Sequence, residues 1–204
     1  MAKDGHVMRI FPRRLLVALL LSSPLFASAQ NSITLDIWMV HHQGDLGKNE
    51  VFLVDARPDQ IIDRGKGVRS VPVYQMYEDR VLSDFTKYYV DVDCAKNRVR
   101  LKDAVDFTTF GHKQFPVKVS SAWQKSPEAW LVQSRDFLCK PAEREARKMA
   151  HWGAVDGLKV IERSHDYFRS LKREQSIQKI LQIIDQAFDS MPQTPNGETK
   201  ELVP

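Results

Sequence analysis

The stretch that most narrows the possible folds is TKYYVDVDCAKNRVR (86–100), where strict alternation runs into a cysteine. Tyr88, Val90, Val92 and Cys94 share one face, and Lys87, Tyr89, Asp91 and Asp93 the other, because successive strand side chains point to opposite sides. AKN is a turn-length link. RVRLKDAVDFTTF then answers with Val99, Leu101, Val105 and Phe107 against Arg98, Arg100 and Lys102. One other cysteine exists, Cys139, 45 residues further on. Whether the two are buried thiols, a metal or redox site, or a staple depends on the compartment.

The N-terminus addresses the compartment. Arg9, Arg13 and Arg14 precede the apolar run LLVALLL, which leads through Pro24 to FASA and Gln30. A basic start, a short apolar core and small residues at Ala27 and Ala29 make a secretory leader over 1–29, cut after Ala29. Met8 is an alternative start. The run is too short to span a bilayer, no later one is longer, and no cysteine near the cleavage point offers a lipid anchor. The expectation is an exported chain, periplasmic or extracellular.

Removing the leader takes away four basic residues and one acidic one. What remains is 26 basic and 25 acidic side chains, a net of +1. The high pI is therefore a property of the leader and gives no case for nucleic-acid binding. In an oxidising compartment two cysteines most often pair. No Cys or His stands at ligand spacing from either one, and a redox pair is more often Cys-x-x-Cys. A Cys94–Cys139 staple is the preferred reading.

Period two dominates 33–123. ITLDIWMV alternates Ile33, Leu35, Ile37 and Met39, and EVFLVDARP is a short apolar run stopped by Pro58. DRGKG reads as a turn. VRSVPVYQMY carries Pro72, which suggests an edge or a bulge, and FPVKVSSAW alternates Val117, Val119, Ser121 and Trp123. These segments predict six antiparallel strands with one apolar face. A helix follows, with Ser126 as N-cap, Pro127 at its first position and Glu128 at the positive end of the dipole. Trp130, Ser134, Phe137 and Leu138 would lie on the sheet, and Pro141 would stop the helix after Cys139. The predicted class is α+β: a six-stranded antiparallel sheet with one helix held on it by the disulfide, over 30–140.

Residues 141–190 change character and read as a helical extension, with a break near Gly153 and Gly157. Its clearest part spaces Ile177, Ile180, Leu181, Ile184 and Phe188 at i, i+3, i+4, i+7 and i+11. Packing within the chain is the expected use of this stripe; pairing between subunits, as in a homodimer, is the alternative. Residues 191–204 read as a disordered tail.

Taken in order, Trp38, VFLVD with Asp55, VDVDCAKNRVRL, and SAWQKSPEAWLVQSRDFLC resemble the surface-adhesin protein E family of proteobacteria, over about 33–139. The resemblance implies a six-stranded antiparallel sheet with a disulfide-bound helix. It also implies, for members on the cell surface, binding of host matrix and serum proteins such as vitronectin and laminin. This chain differs in lacking a lipidation cysteine and in carrying 140–204 beyond the closing cysteine.

No catalytic, metal or cofactor site emerges. His41 and His42 are strand neighbours that diverge, so even with Asp45 nearby they read as a polar loop. His165 and Asp166 diverge on a helix, and no G-x-S-x-G motif is present. Asp91 and Asp93 read as the solvated side of the sheet. GKGVRS joins two strands and is not a phosphate loop. Binding has more to offer. Arg98, Arg100 and Lys102 form a basic stripe suited to an acidic partner or glycan, with solvated charges as the plainer reading. Tyr74, Tyr77, Tyr88 and Tyr89 suit packing as well as contact, and Ile177, Leu181, Ile184 and Phe188 suit a protein partner. The expectation is a non-enzymatic protein-binding module that engages a host matrix protein. The alternative is an envelope protein that binds another bacterial protein through its C-terminal helices.

Overall fold

The computed structural model describes residues 33–79, 83–108 and 113–190. The leader expected over 1–29 and the tail expected over 191–204 lie outside them.

Every strand pairing is antiparallel. In chain order the strands are β1 (Thr34–Gln43), β2 (Glu50–Asp55), β3 (Ile62–Gly65), β4 (Val68–Tyr77), β5 (Phe85–Asp93), β6 (Arg98–Thr108), β7 (Lys113–Pro116) and β8 (Ala150–Asp156). They form an eight-stranded sheet in the order β7-β6-β5-β4-β2-β1-β8, with β3 pairing on β4. Two α-helices accompany it among the described residues: α1 (Ala129–Cys139) and α2 (Gly157–Asp189).

The class is α+β as expected, but there are eight strands rather than six. β3 is a fully exposed four-residue strand where the sequence read a turn. β8 lies in the supposed helical extension and completes the sheet beside β1. The last predicted strand shrinks to β7. Beyond Val117, whose N–H bonds the Ala104 carbonyl, the chain leaves the ladder and returns to β6 through Trp123 and the Val99–Gln124 bridge.

Both faces of the sheet are apolar, which corrects the one-faced reading. β2 shows why: Val51 to Asp55 are all buried, the continuous run of a strand covered on two sides. Phe52, Val54, Val73 and Val90 meet Trp130, Leu131, Phe137 and Leu138 of α1 on one face. Ile37, Val51, Leu53 and Met76 meet Val160 and Phe168 of α2 on the other.

α1 buries the residues expected of it, but it starts later than the sequence suggested. Its cap is Glu128 rather than Ser126, and the Glu128 carboxylate accepts from the Trp130 indole N–H at 2.9 Å. Its end carries the expected staple, Cys94–Cys139, with Cα atoms 5.5 Å apart. Segment 141–149 closes over the helix. Arg144 sits 3.7 Å from the Phe137 ring centroid and donates to the Phe137 carbonyl, while Arg147 reaches Asp136 at 2.6 Å.

The two sheet edges are interrupted. β7 is four residues long and ends in Pro116. β8 is bulged against β1, with Gly153 at φ 78°, a conformation glycine tolerates. The Trp152 carbonyl at this bulge is taken by Arg163 of α2 at 2.7 Å.

Candidate protein-binding surface

The basic stripe on β6 is not free. Arg98 bonds Asp93 at 3.1 Å and Arg100 bonds Asp91 at 2.8 Å. Trp123 lies across both guanidinium groups, with 4.4 and 4.5 Å from their carbons to its ring centroid. This arrangement corrects two readings at once. Asp91 and Asp93 are buried rather than solvated, and the two arginines are partners of that burial. Lys102 is exposed, but it is the residue the β5–β6 register shift leaves unopposed, so it stands out of line with the arginines.

The tyrosines are also occupied. Tyr88 donates to the Gln75 side-chain oxygen at 2.9 Å, Tyr77 donates to the Thr86 hydroxyl at 2.6 Å, and Thr86 donates to Asp106. Burial pushes both phenols up from their ordinary value, so they stay protonated donors. Tyr74 and Tyr89 flank the Lys87 ammonium. The histidines diverge as expected. His41 packs near Phe52, and burial lowers its pKa; His42 meets Tyr167 on the opposite face. Asp166 pairs with Arg169. Among the described residues no cluster of three or more His, Cys, Asp or Glu side chains is placed to hold a metal.

Six of the ten exposed large apolar side chains among the described residues lie on the second half of α2. A helix turns about 100° per residue, so Val160, Ser164, Phe168, Leu171 and Gln175 fall in one stripe, and this stripe faces the sheet. The last contact is a reciprocal amide pair. Asn49, almost wholly buried, donates to Gln175 Oε1 and accepts from Gln175 Nε2, each at 3.0 Å; its amide also donates to Glu78 at 2.7 Å.

Past this latch the same stripe continues as Gln178, Gln182, Asp185 and Asp189, all polar. The apolar residues Ile177, Ile180, Leu181, Ile183, Ile184, Ala187 and Phe188 occupy an arc of about 160° on the opposite side of the helix. Upstream, that opposite side holds Glu162, Asp166, Arg169 and Arg173. The helix thus consists of two amphipathic segments whose apolar faces point in opposite directions. The switch falls between Gln175 and Ile177.

Exposure follows from the phase. Ile177 is 51% exposed, Ile183 57% and Phe188 66%. The expected packing of this stripe within the chain is therefore overturned: to reach the sheet, the helix would have to bury Glu162, Asp166 and their neighbours. Beneath the polar stripe lies a cleft of about 700 Å3, walled by His42, Asp45 and Leu46 on one side and by Glu174, Gln175 and Gln178 on the other.

Sequence reading found Ile177, Leu181, Ile184 and Phe188 but missed the latch and the reversal. The signal for the reversal was present: the apolar period of 160–171, carried past Gln175, lands on glutamines and aspartates. Asn49 gave no such sign. Compared with known proteins, the chain matches no family model, no curated protein and no solved structure. The likeness to the protein E family rests on the quoted residues alone. No helix among the described residues is long and apolar enough to cross a membrane.

Proposed function

We propose that this chain is an exported binding protein, in which a disulfide-stapled sheet domain holds out the second half of α2 for a protein partner. The observation that carries this reading is the reversed phase of α2. Seven apolar side chains lie uncovered on one side, and the side facing the domain is polar. A helix laid into a groove or bundle reads through i, i+3, i+4 and i+7 anchors, the spacing found at 177–188.

The arginine stripe lends little to the matrix-binding alternative, since both guanidinium groups are already paired and stacked. That alternative leans on the family resemblance. Export is supported by the basic-apolar-small pattern of 1–29 and by the disulfide, which persists in oxidising compartments. Binding rather than catalysis is favoured because Arg98, Arg100, Tyr77 and Tyr88 are already paired within the sheet.

The test is a photo-crosslinking residue at position 180 of the full chain, expressed in its own compartment, with position 172 as control. Position 180 is expected to yield protein cross-links and position 172 none. Equal cross-linking at both, or at neither, would count against α2 as the binding element.

A further inference from the structure

We infer that the partner of α2 is further copies of the same chain, gathered as a bundle of three or four helices through 177–188. This deepens the proposed function and rests on it.

The first support is the number of apolar columns. At a spacing of seven, Ile177 and Ile184 form one, Leu181 and Phe188 a second, Ile180 and Ala187 a third. A two-stranded coiled coil covers two columns and leaves the third in water. Three columns call for two neighbours per helix, the arrangement of a bundle. The residue types agree. With Leu181 and Phe188 at one seam position and Ile177 and Ile184 at the other, the Leu/Ile order is the one that shifts preference from two strands to three or four.

The second support is self-complementarity. The charges between 177 and 189 are Lys179, Asp185 and Asp189; the two aspartates lie on the polar stripe and Lys179 beside it, all outside the apolar arc. Identical apolar arcs can therefore meet without opposing like charges.

The third support is area. Six large side chains, each about half exposed, at roughly 100 Å2 of apolar surface each give about 600 Å2 per copy, the top of the range for the largest patch on a monomer. Two copies meeting would leave part of this in water and bury less than about 1,200 Å2, the lower edge of stable interfaces. A bundle goes beyond that edge because each helix meets two others. Segment 191–204, MPQTPNGETKELVP, carries three large aliphatic side chains, Met191, Leu202 and Val203, with three prolines and a glycine among them.

The test is sedimentation equilibrium of the full chain, expressed with its own N-terminus and purified from the compartment it reaches. The mass is expected to rise with concentration to three or four times that of the monomer. Leu181→Asp with Ile184→Asp should hold it at the monomer, with an unchanged melting temperature in dilute solution. Gln182→Ala, on the polar stripe, should associate as the parent does. A plateau at two copies, a parent that stays monomeric at every concentration, or an assembly untouched by the double variant would overturn the inference. Photo-crosslinking from position 180 separates the two levels. Products at multiples of the chain mass support the bundle. Products with a different protein only, from a monomeric chain, overturn the bundle and leave the binding function standing. No product at all removes both.

Discussion

The two helices cover opposite faces of one sheet and are held there differently. α1 is apolar toward the sheet along its whole length, roofed by 141–149 and tied at its end by Cys94–Cys139. α2 is apolar toward the sheet for its first half only, and its last contact is the uncharged amide pair of Asn49 and Gln175. The difference teaches that length does not decide how much of a helix a domain keeps. The phase of its apolar stripe does. Each helix is buried as far as that stripe points inward, and α2 leaves where it turns.

The largest effect should separate two phenylalanines. Phe137→Ala, at a fully buried site in α1, is expected to cost about 4 kcal/mol. Phe188→Ala, at the exposed end of α2, should stay within about 0.5 kcal/mol in dilute solution. Denaturant unfolding of both variants decides it; comparable losses would mean that the end of α2 packs on the domain after all.

Next comes the staple. Cys94→Ser with Cys139→Ser should lower stability by about 4 kcal/mol, since the 45-residue separation leaves a long loop open in the unfolded chain. Amide exchange should rise most at the C-terminal end of α1 and little in α2. A uniform rise would show that the two helices are not separately anchored.

The latch should matter less. Asn49→Ala removes the partner of Gln175 and leaves polar groups unpaired, a loss of about 2 kcal/mol. Its signature is local: faster exchange around 168–176, with 177–189 unchanged. Faster exchange in α1 instead would refute the assignment of Asn49 to α2.

The smallest effect is acid sensitivity on the staple side. Burial alone would push Asp93 up, but the Lys96 N–H and Arg98 outweigh it and leave it below its ordinary value. A depressed carboxylate contributes in full above its unfolded pKa and loses that contribution as pH falls through the folded one. The turn carrying Cys94 should therefore loosen below about pH 4, while the amide latch of α2 does not titrate. Asp93→Asn should remove this step from the pH profile of α1 exchange; if the step persists, another group is responsible.

Much of this was legible in the sequence. The alternation of Tyr88, Val90, Val92 and Cys94 located a strand, and the burial of Trp130, Ser134, Phe137 and Leu138 followed from helical spacing. The pairing of Cys94 with Cys139 followed from compartment and count. What failed depended on neighbours. AHWGAVD has one β-branched residue and precedes a long helical pattern, so β8 becomes a strand only because β1 offers it an edge. Val117, Val119 and Ser121 alternate like a strand, yet the chain there leaves β6 and brings Trp123 onto the two arginines. Those arginines looked available because local sequence shows a charge but not the buried Asp across the ladder. The apolar period of 177–188 taken alone suits packing inside the chain, and only against that of 160–171 does its reversed phase show.

The interrupted edges of the sheet bear on how such a molecule can accumulate. β7 is short and ends in proline, β3 is only four residues long, and β8 is kinked at Gly153 with its Trp152 carbonyl already taken, so none offers a long row of groups on which another chain could add a strand. Growth without limit needs an open ladder, and this one is shut at both ends. Association is left to an arc of helix that can be filled. Raising the concentration should then increase how many assemblies there are and leave their size alone.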